Sequence, residues 1–273
     1  MIKGTVYLIG AGPGDPELLT VRGARLLSQA DAVVYDALTN DALLDSAPPE
    51  ALRIDVGKRS GGRGPDQEEI NRLLVRLARK SDVVVRLKGG DPCVFGRGGE
   101  EALALRAAGV PFEIVPGITA GLGVLAYAGI PVTHRGLSSS VTFVTGHEAK
   151  RGSADGSGVD WDAVAGTGGT VVVYMGLSRI DAVAERLLAG GRSPETPAAV
   201  IESGTYPRQR TIVGTLGTIA ELSRQADAGK PALIVVGDVV GLRSAISWFE
   251  DVADALPQAE TDHPLIPVGR EAR

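Results

Sequence analysis

Short apolar runs rich in β-branched residues punctuate the chain at Thr5–Ile9, Ala32–Tyr35, Val83–Leu87, Phe112–Val115, Val141–Thr145, Thr170–Tyr174, Ala198–Ile201 and Ala232–Val236. They are continuously apolar instead of alternating with polar residues, the mark of strands covered on both faces, as in α/β sheets. Helical patterns lie between them, at Glu17–Gln29, Gln67–Lys80, Glu100–Ala108, Thr119–Tyr127, Arg179–Ala189 and Thr218–Ala228. In Gln67–Lys80 the apolar residues Ile70, Leu73, Leu74, Leu77 and Ala78 keep the i, i+3, i+4, i+7 spacing, with Arg72, Arg76, Arg79 and Lys80 opposite, which predicts an amphipathic surface helix. Thr211–Leu216, after Tyr206-Pro207, reads as one arm of a hairpin and makes the second sheet mixed.

The stretch from Lys150 to Gly169 is glycine- and serine-rich and reads as a loop that separates two α/β blocks. The domain boundary is expected slightly earlier, near Ile130–Leu137, because Val141–Thr145 would open the second sheet. The expected division is therefore an N-terminal α/β domain over 1–135, a C-terminal α/β domain with a mixed sheet over 136–250, and a flexible polar tail over 251–273 containing Pro257, Pro264 and Pro267. Ile114–Thr133 is uncharged, but Pro116, Gly117, Gly121, Gly123, Gly129 and Pro131 break it, so it reads as buried core with turns and not as a membrane span.

Charge and composition narrow the functions. A net charge of −5 opposes non-specific binding to phosphate backbones, so no nucleic-acid partner is expected. One cysteine, Cys93, and 3 histidines exclude an intramolecular disulfide and a cysteine-based zinc site, and no metal centre is expected. Met1-Ile2-Lys3 runs directly into Thr5–Ile9 without a leader-like apolar run, which reads as a cytoplasmic protein. The 37 glycines, about twice the usual share, imply many tight turns and close backbone approaches, hence a ligand.

Several segments carry candidate chemistry. Thr5–Ile9 followed by Gly10-Ala11-Gly12-Pro13-Gly14-Asp15-Pro16 is strand, glycine turn and helix, the setting in which backbone amides meet anions. A dinucleotide fingerprint fails here, because Asp15 stands at its third glycine and Pro13 and Pro16 lack amide hydrogens; a turn lining another ligand and a plain structural turn both stay open. Lys88-Gly89-Gly90-Asp91 closes a buried strand and offers bare backbone beside a carboxylate, and Gly98-Gly99 opens a helix with Arg97 at its start. Pro116–Gly121 is a third strand-end turn, whose small residues suit either a flat ring or close helix packing. Asp36 ends the strand Ala32–Tyr35, as a projecting carboxylate or a loop cap. Lys58, Arg59, Arg63, His134 and Arg135 put basic groups in loops, suited to a polycarboxylate or to solvent.

Together these blocks closely resemble the uroporphyrinogen-III C-methyltransferases of the tetrapyrrole methyltransferase superfamily. The resemblance rests on VYLIGAGPGDPELLT (Val6–Thr20), ADAVVYDAL (Ala30–Leu38), VGKR (Val56–Arg59), EEINRLL (Glu68–Leu74), VVRLKGGDPCVFGRGGEE (Val84–Glu101), VPGITA (Val115–Ala120), GIPVTHRG (Gly129–Gly136), VVYMGL (Val172–Leu177), ESGTYPRQRTIVGTL (Glu202–Leu216) and PALIVVGDVVGLR (Pro231–Arg243). Other corrin-ring methyltransferases and diphthine synthase share the glycine turn and a GGDP-like block, but are not expected to combine VGKR with FGRGGEE. Cys93 and the long 150–169 loop depart from the pattern.

The resemblance implies two α/β domains with the cofactor folded into a cleft between them, in a homodimer, and not the Rossmann fold of other methyltransferases. It implies transfer of methyl groups from S-adenosyl-L-methionine to carbons 2 and 7 of uroporphyrinogen III, giving precorrin-2 for sirohaem, cobalamin or haem d1 routes and S-adenosyl-L-homocysteine as the second product. It carries cofactor contacts to Pro13, Gly89, Gly90, Asp91, Val94, Thr119, Ala120, Met175 and Gly204. Asp36 is implied as proton acceptor and Lys58 as donor, with Arg97, Glu100 and Arg135 engaging the tetrapyrrole. Lys58 and Arg135 suit substrate carboxylate clamps equally well. With no Rossmann fingerprint elsewhere, the dehydrogenase/chelatase domain fused in some sirohaem synthases is expected to be missing. An NAD oxidoreductase is opposed by Asp15, and a nucleotide-sensing module leaves the many strand-end groups unexplained.

Overall fold

The computed structural model describes residues 2–57, 64–147 and 158–249. Lys58 and the other loop bases Arg59 and Arg63, much of the long loop, and the whole tail 251–273 lie outside the described residues. Two compact units divide the chain between Thr119 and Ala120, and the expected boundary at 135/136 falls inside the second. The physical reason is the helix Ala120–Tyr127, whose Val124 and Leu125 pack on Val172, Ala199, Ile201 and Leu233 of the second sheet.

The first unit is a parallel sheet in the order β3-β2-β4-β1-β5, formed by β1 (Thr5–Gly10), β2 (Ala32–Tyr35), β3 (Leu52–Asp55), β4 (Val83–Lys88) and β5 (Phe112–Val115). Its continuously apolar central strands are covered on both faces. On one side α1 (Val21–Leu27) brings Leu26 and Leu27 against Ile9, Val33, Val85 and Leu87. On the other, α2 (Gln67–Ala78) and α3 (Gly98–Ala107) bring Ile70, Leu74, Leu77 and Leu105 against Val6, Leu8, Val34 and Val84. The central neighbours β1 and β4 thus send their following helices to opposite faces, and such a divergence opens a crevice at the carboxyl edge of a parallel sheet. A capping box starts α2: the Asp66 carboxylate accepts from Glu69 N, and Asp66 N donates to Glu69 Oε2, each at 2.8 Å.

The second unit has a mixed sheet in the order β6-β7-β10-β8-β9, from β6 (Val141–Thr145), β7 (Thr170–Tyr174), β8 (Pro197–Glu202), β9 (Arg210–Thr215) and β10 (Ala232–Val236). β6 and β7 are parallel, β10 runs against both β7 and β8, and β8–β9 form the expected hairpin. The carboxyl ends of β6, β7 and β8 therefore share one edge. α4 (Ala120–Tyr127) covers one face; α5 (Trp161–Gly166), α6 (Ile180–Ala189) and α7 (Ile219–Gln225) cover the other through Trp161, Val164, Val183, Leu187 and Ile219. A last short helix, α8 (Arg243–Ile246), follows β10.

Several elements depart from the expected pattern: α8 stands where no helix was expected, and the helix expected over Glu17–Gln29 is a 3-10 turn, Pro16–Leu18, followed by α1. β3 is an edge strand with Leu52 and Arg53 exposed, so it lacks the apolar run that marks the central strands. α5 lies within the expected loop 150–169; it is only 6 residues long, capped by Asp160, and too short to display a helical period. Among the described residues no helix is long and apolar enough to cross a membrane.

Candidate active site

In the first unit the turns after β1, β4 and β5 meet at the carboxyl edge of the sheet. Gly12 and Gly90 exchange backbone hydrogen bonds, Gly90 N to Gly12 O at 2.7 Å and Gly12 N to Gly90 O at 3.2 Å. At Gly117 an added Cβ would lie 2.3 Å from Gly90 O and 2.6 Å from Gly10 Cα, so the three loops converge here backbone to backbone, and only glycine permits it. Asp91 fixes the convergence: its Oδ1 accepts from Cys93 N at 2.8 Å and its Oδ2 from Gly117 N at 3.1 Å. This cluster contains Pro13, Gly89, Gly90 and Asp91, with Val94 half-buried on the loop that follows. Asp15 caps the short helix Pro16–Leu18 through Glu17 N, and Asn40 Nδ2 donates to Gly14 O, tying this turn to the chain after β2.

Arg97 stands at the start of α3 in a left-handed conformation, φ 59°. Its guanidinium grips the Glu100 carboxylate in a bidentate pair at 2.8 and 2.7 Å, both side chains half exposed. Arg97 holds the Glu100 carboxyl below the ordinary glutamate range, a hydrogen bond being the main cause.

Asp36, at the end of β2, is neither a bare carboxylate nor a helix cap. Its Oδ1 accepts from Arg86 Nη2 at 2.6 Å, and Lys88 Nζ stands 4.0 Å from Oδ2. Behind it Glu101 Oε1 accepts from Arg86 Nε and Lys88 Nζ, each at 3.1 Å. Arg86, Lys88 and Glu101 were not among the expected site residues. Their signal is visible in the sequence nonetheless: positions 86 and 88 put two cations on one face of a strand otherwise apolar, and a buried cation needs a partner.

In the second unit the start of α4 meets the carboxyl ends of β7 and β8. Gly121 N donates to Tyr174 Oη at 2.6 Å, and an added Cβ at Gly204 would stand 2.3 Å from Val124 Cγ1. Ala120, Met175 and Gly204 are thereby brought together; Met175 is left-handed, φ 54°, with 54% of its surface exposed. Thr119 is buried directly before α4. Arg135 is exposed, in a turn closed by reciprocal backbone bonds between His134 and Ser138 at 2.9 Å.

In the first unit a carboxylate among bare glycine backbone suits an ammonium group, and in the second an exposed thioether beside small residues suits a flat ring. The turns at the strand ends are thus glycine-built and close-packed without the dinucleotide fingerprint. The chain belongs to the tetrapyrrole (corrin/porphyrin) methylases, whose family model matches residues 5–220.

An S-adenosyl-L-methionine-dependent uroporphyrinogen III methyltransferase of Methanosarcina barkeri is 52% identical over 243 residues, covering 89% of this chain and 94% of that protein. A siroheme synthase of Neisseria meningitidis serogroup B is 49% identical over 263 residues, 96% of this chain and 53% of that protein, so the chain spans about half the length of such relatives. A uroporphyrin-III C-methyl transferase from Thermus thermophilus, crystallised with S-adenyl homocysteine, superposes with a TM-score of 0.75 at 44% identity, covering 88% of this chain and 100% of that one.

Proposed function

We propose that the chain is an S-adenosyl-L-methionine-dependent C-methyltransferase that methylates carbons 2 and 7 of uroporphyrinogen III, yielding precorrin-2 and S-adenosyl-L-homocysteine. The observation that carries this reading is the 52% identity to the Methanosarcina barkeri methyltransferase along 94% of that protein. When bound, the cofactor supplies an electrophilic methyl group on a sulfonium. The chain's residues bind, orient and move a proton.

The cofactor contacts of this reading are Pro13, Gly89, Gly90, Asp91, Val94, Thr119, Ala120, Met175 and Gly204. Asp91 spends one lone pair of each oxygen on Cys93 N and Gly117 N and retains others for the ammonium group. Asp36 accepts the proton that the macrocycle loses, and Lys58 donates one. Arg97, Glu100 and Arg135 engage the tetrapyrrole: the half-exposed Arg97 guanidinium, oriented by its bidentate pair with Glu100, meets a substrate carboxylate. A homodimer in the cytoplasm completes the reading and rests on the family resemblance alone.

Calorimetry and steady-state kinetics test the division of labour. Asp91→Ala is expected to weaken cofactor binding at least about tenfold, the loss of one charge-assisted contact, whereas Arg97→Ala leaves cofactor binding near normal and lowers turnover. The converse pattern overturns the assignment.

A further inference from the structure

We propose that Arg86, Lys88 and Glu101 are positioning residues for Asp36, a buried network that commits one carboxylate oxygen to Arg86 and presents the other for proton transfer. The inference rests on the reading of Asp36 as proton acceptor.

Glu101 is fully buried, and Arg86 and Lys88 expose only 2% and 3% of their surface. Charges so placed cost several kcal/mol each to desolvate, and their mutual attraction rarely exceeds that cost, so a packed apolar trio would hold this interface of β4 and α3 as well. What the network supplies beyond packing is geometry.

That geometry leads outward from Glu101 to the sheet edge. Glu101 Oε1 is loaded with three donors, Arg86 Nε and Lys88 Nζ at 3.1 Å and Gln67 Nε2 at 3.3 Å, while Oε2 is buried without a hydrogen bond among the described residues. The Arg86 guanidinium is locked in rotation by Val34 O and Leu87 O, at 3.3 and 3.4 Å, and its remaining nitrogen reaches Asp36 Oδ1. Among the described residues Asp36 Oδ2 has no hydrogen bond; the Lys88 ammonium, 4.0 Å away, acts on it by charge alone. The Asp36 side chain is 30% exposed, so the carboxyl group as a whole is not sealed off.

Among the described residues, the charged groups acting on Lys88 are Arg86 on its own strand, Glu101 on α3 and Asp36 after β2, and Lys88 in turn acts on Glu100 of α3 and Cys93 of the following loop. Burial chiefly, and then Arg86, push the Lys88 ammonium below the ordinary lysine range, and Glu101 and Asp36 oppose them. In the reaction a C–H bond of the methylated macrocycle breaks, its electron pair stays in the ring and cancels the positive charge there, and an O–H bond forms at Oδ2. Arg86 keeps the carboxyl group oriented through Oδ1 throughout, and the proton leaves to water from the exposed side.

The test needs one readout independent of turnover. With lysine labelled at Cε, NMR follows the Lys88 titration in the whole protein; Asp36→Asn removes an attractive carboxylate and is expected to move the midpoint down, as is Glu101→Gln. In kinetics, Asp36→Asn is expected to lower kcat about a hundredfold and Glu101→Gln about tenfold with S-adenosyl-L-homocysteine binding kept, and the double variant falls no further than Asp36→Asn alone. Where Glu101→Gln fails to fold, Lys88→Met serves in the same cycle. A Lys88 titration unmoved by Asp36→Asn, or losses that multiply in the double variant, overturns the network. Should the unaltered protein methylate no uroporphyrinogen III, the functional reading falls, and the NMR comparison still decides whether Lys88 and Asp36 are coupled.

Discussion

Gly117 shows how a single position constrains the site. A methyl group there meets backbone on two sides, so Gly117→Ala forces the turns after β1, β4 and β5 apart. The expected cost is about 1–3 kcal/mol in thermal or denaturant unfolding, accompanied by weaker S-adenosyl-L-homocysteine binding in calorimetry. Unchanged binding would show that the convergence of the turns does not shape the cofactor site. Asp91 acts at the same point from the side chain, and Asp91→Asn, which keeps an acceptor for one of the two amides, is expected to bind cofactor better than Asp91→Ala. The type of these residues was legible in the sequence; their partners were not. Nothing in Gly89-Gly90-Asp91 says that the carboxylate also spans to Gly117, because that contact joins turns on two different strands. The same holds for Asp36, whose position at a strand end is local information, while its pairing with Arg86 depends on which strand lies next to β2.

At the scale of elements, the apolar runs located the central strands because those strands are buried on both faces and need no polar residues. β3 escaped because an edge strand with exposed side chains has no such run, and α5 because 6 residues form too few turns to repeat. The β8–β9 hairpin carries a testable ionic link. Arg210 Nη2 donates to Glu202 Oε2 at 2.8 Å, and Gly229 N donates to the same oxygen at 2.9 Å. The hydrogen bond from Arg210 chiefly, with help from Gly229, holds the Glu202 carboxyl below the ordinary glutamate range, although burial opposes it. A carboxyl depressed in the folded state adds stability that is fully present above the ordinary glutamate pKa and is lost as pH falls through the depressed folded value. Glu202→Gln should therefore lower stability by about 1 kcal/mol near neutrality and by progressively less toward acid, where wild type and variant converge in thermal melts. A constant difference at all pH values would assign the effect to packing. Asp66→Ala, which removes the capping box of α2, should cost about 1 kcal/mol independently of the hairpin.

For the whole molecule, two α/β units were expected from the glycine-rich stretch and the two series of strands, and both are present. Their division at Thr119/Ala120 was hidden because α4 follows directly on the turn after β5, yet its apolar side chains belong to the second sheet. The central claim is the chemistry performed on the tetrapyrrole. Its most direct test is anaerobic incubation of the purified protein with uroporphyrinogen III and S-adenosyl-L-methionine, followed by mass spectrometry of the oxidised tetrapyrrole. A gain of two methyl groups, reached through a singly methylated intermediate, is the expected result. An unmethylated tetrapyrrole, from protein that nonetheless binds S-adenosyl-L-methionine, would contradict it and move the substrate elsewhere among the acceptors of this family.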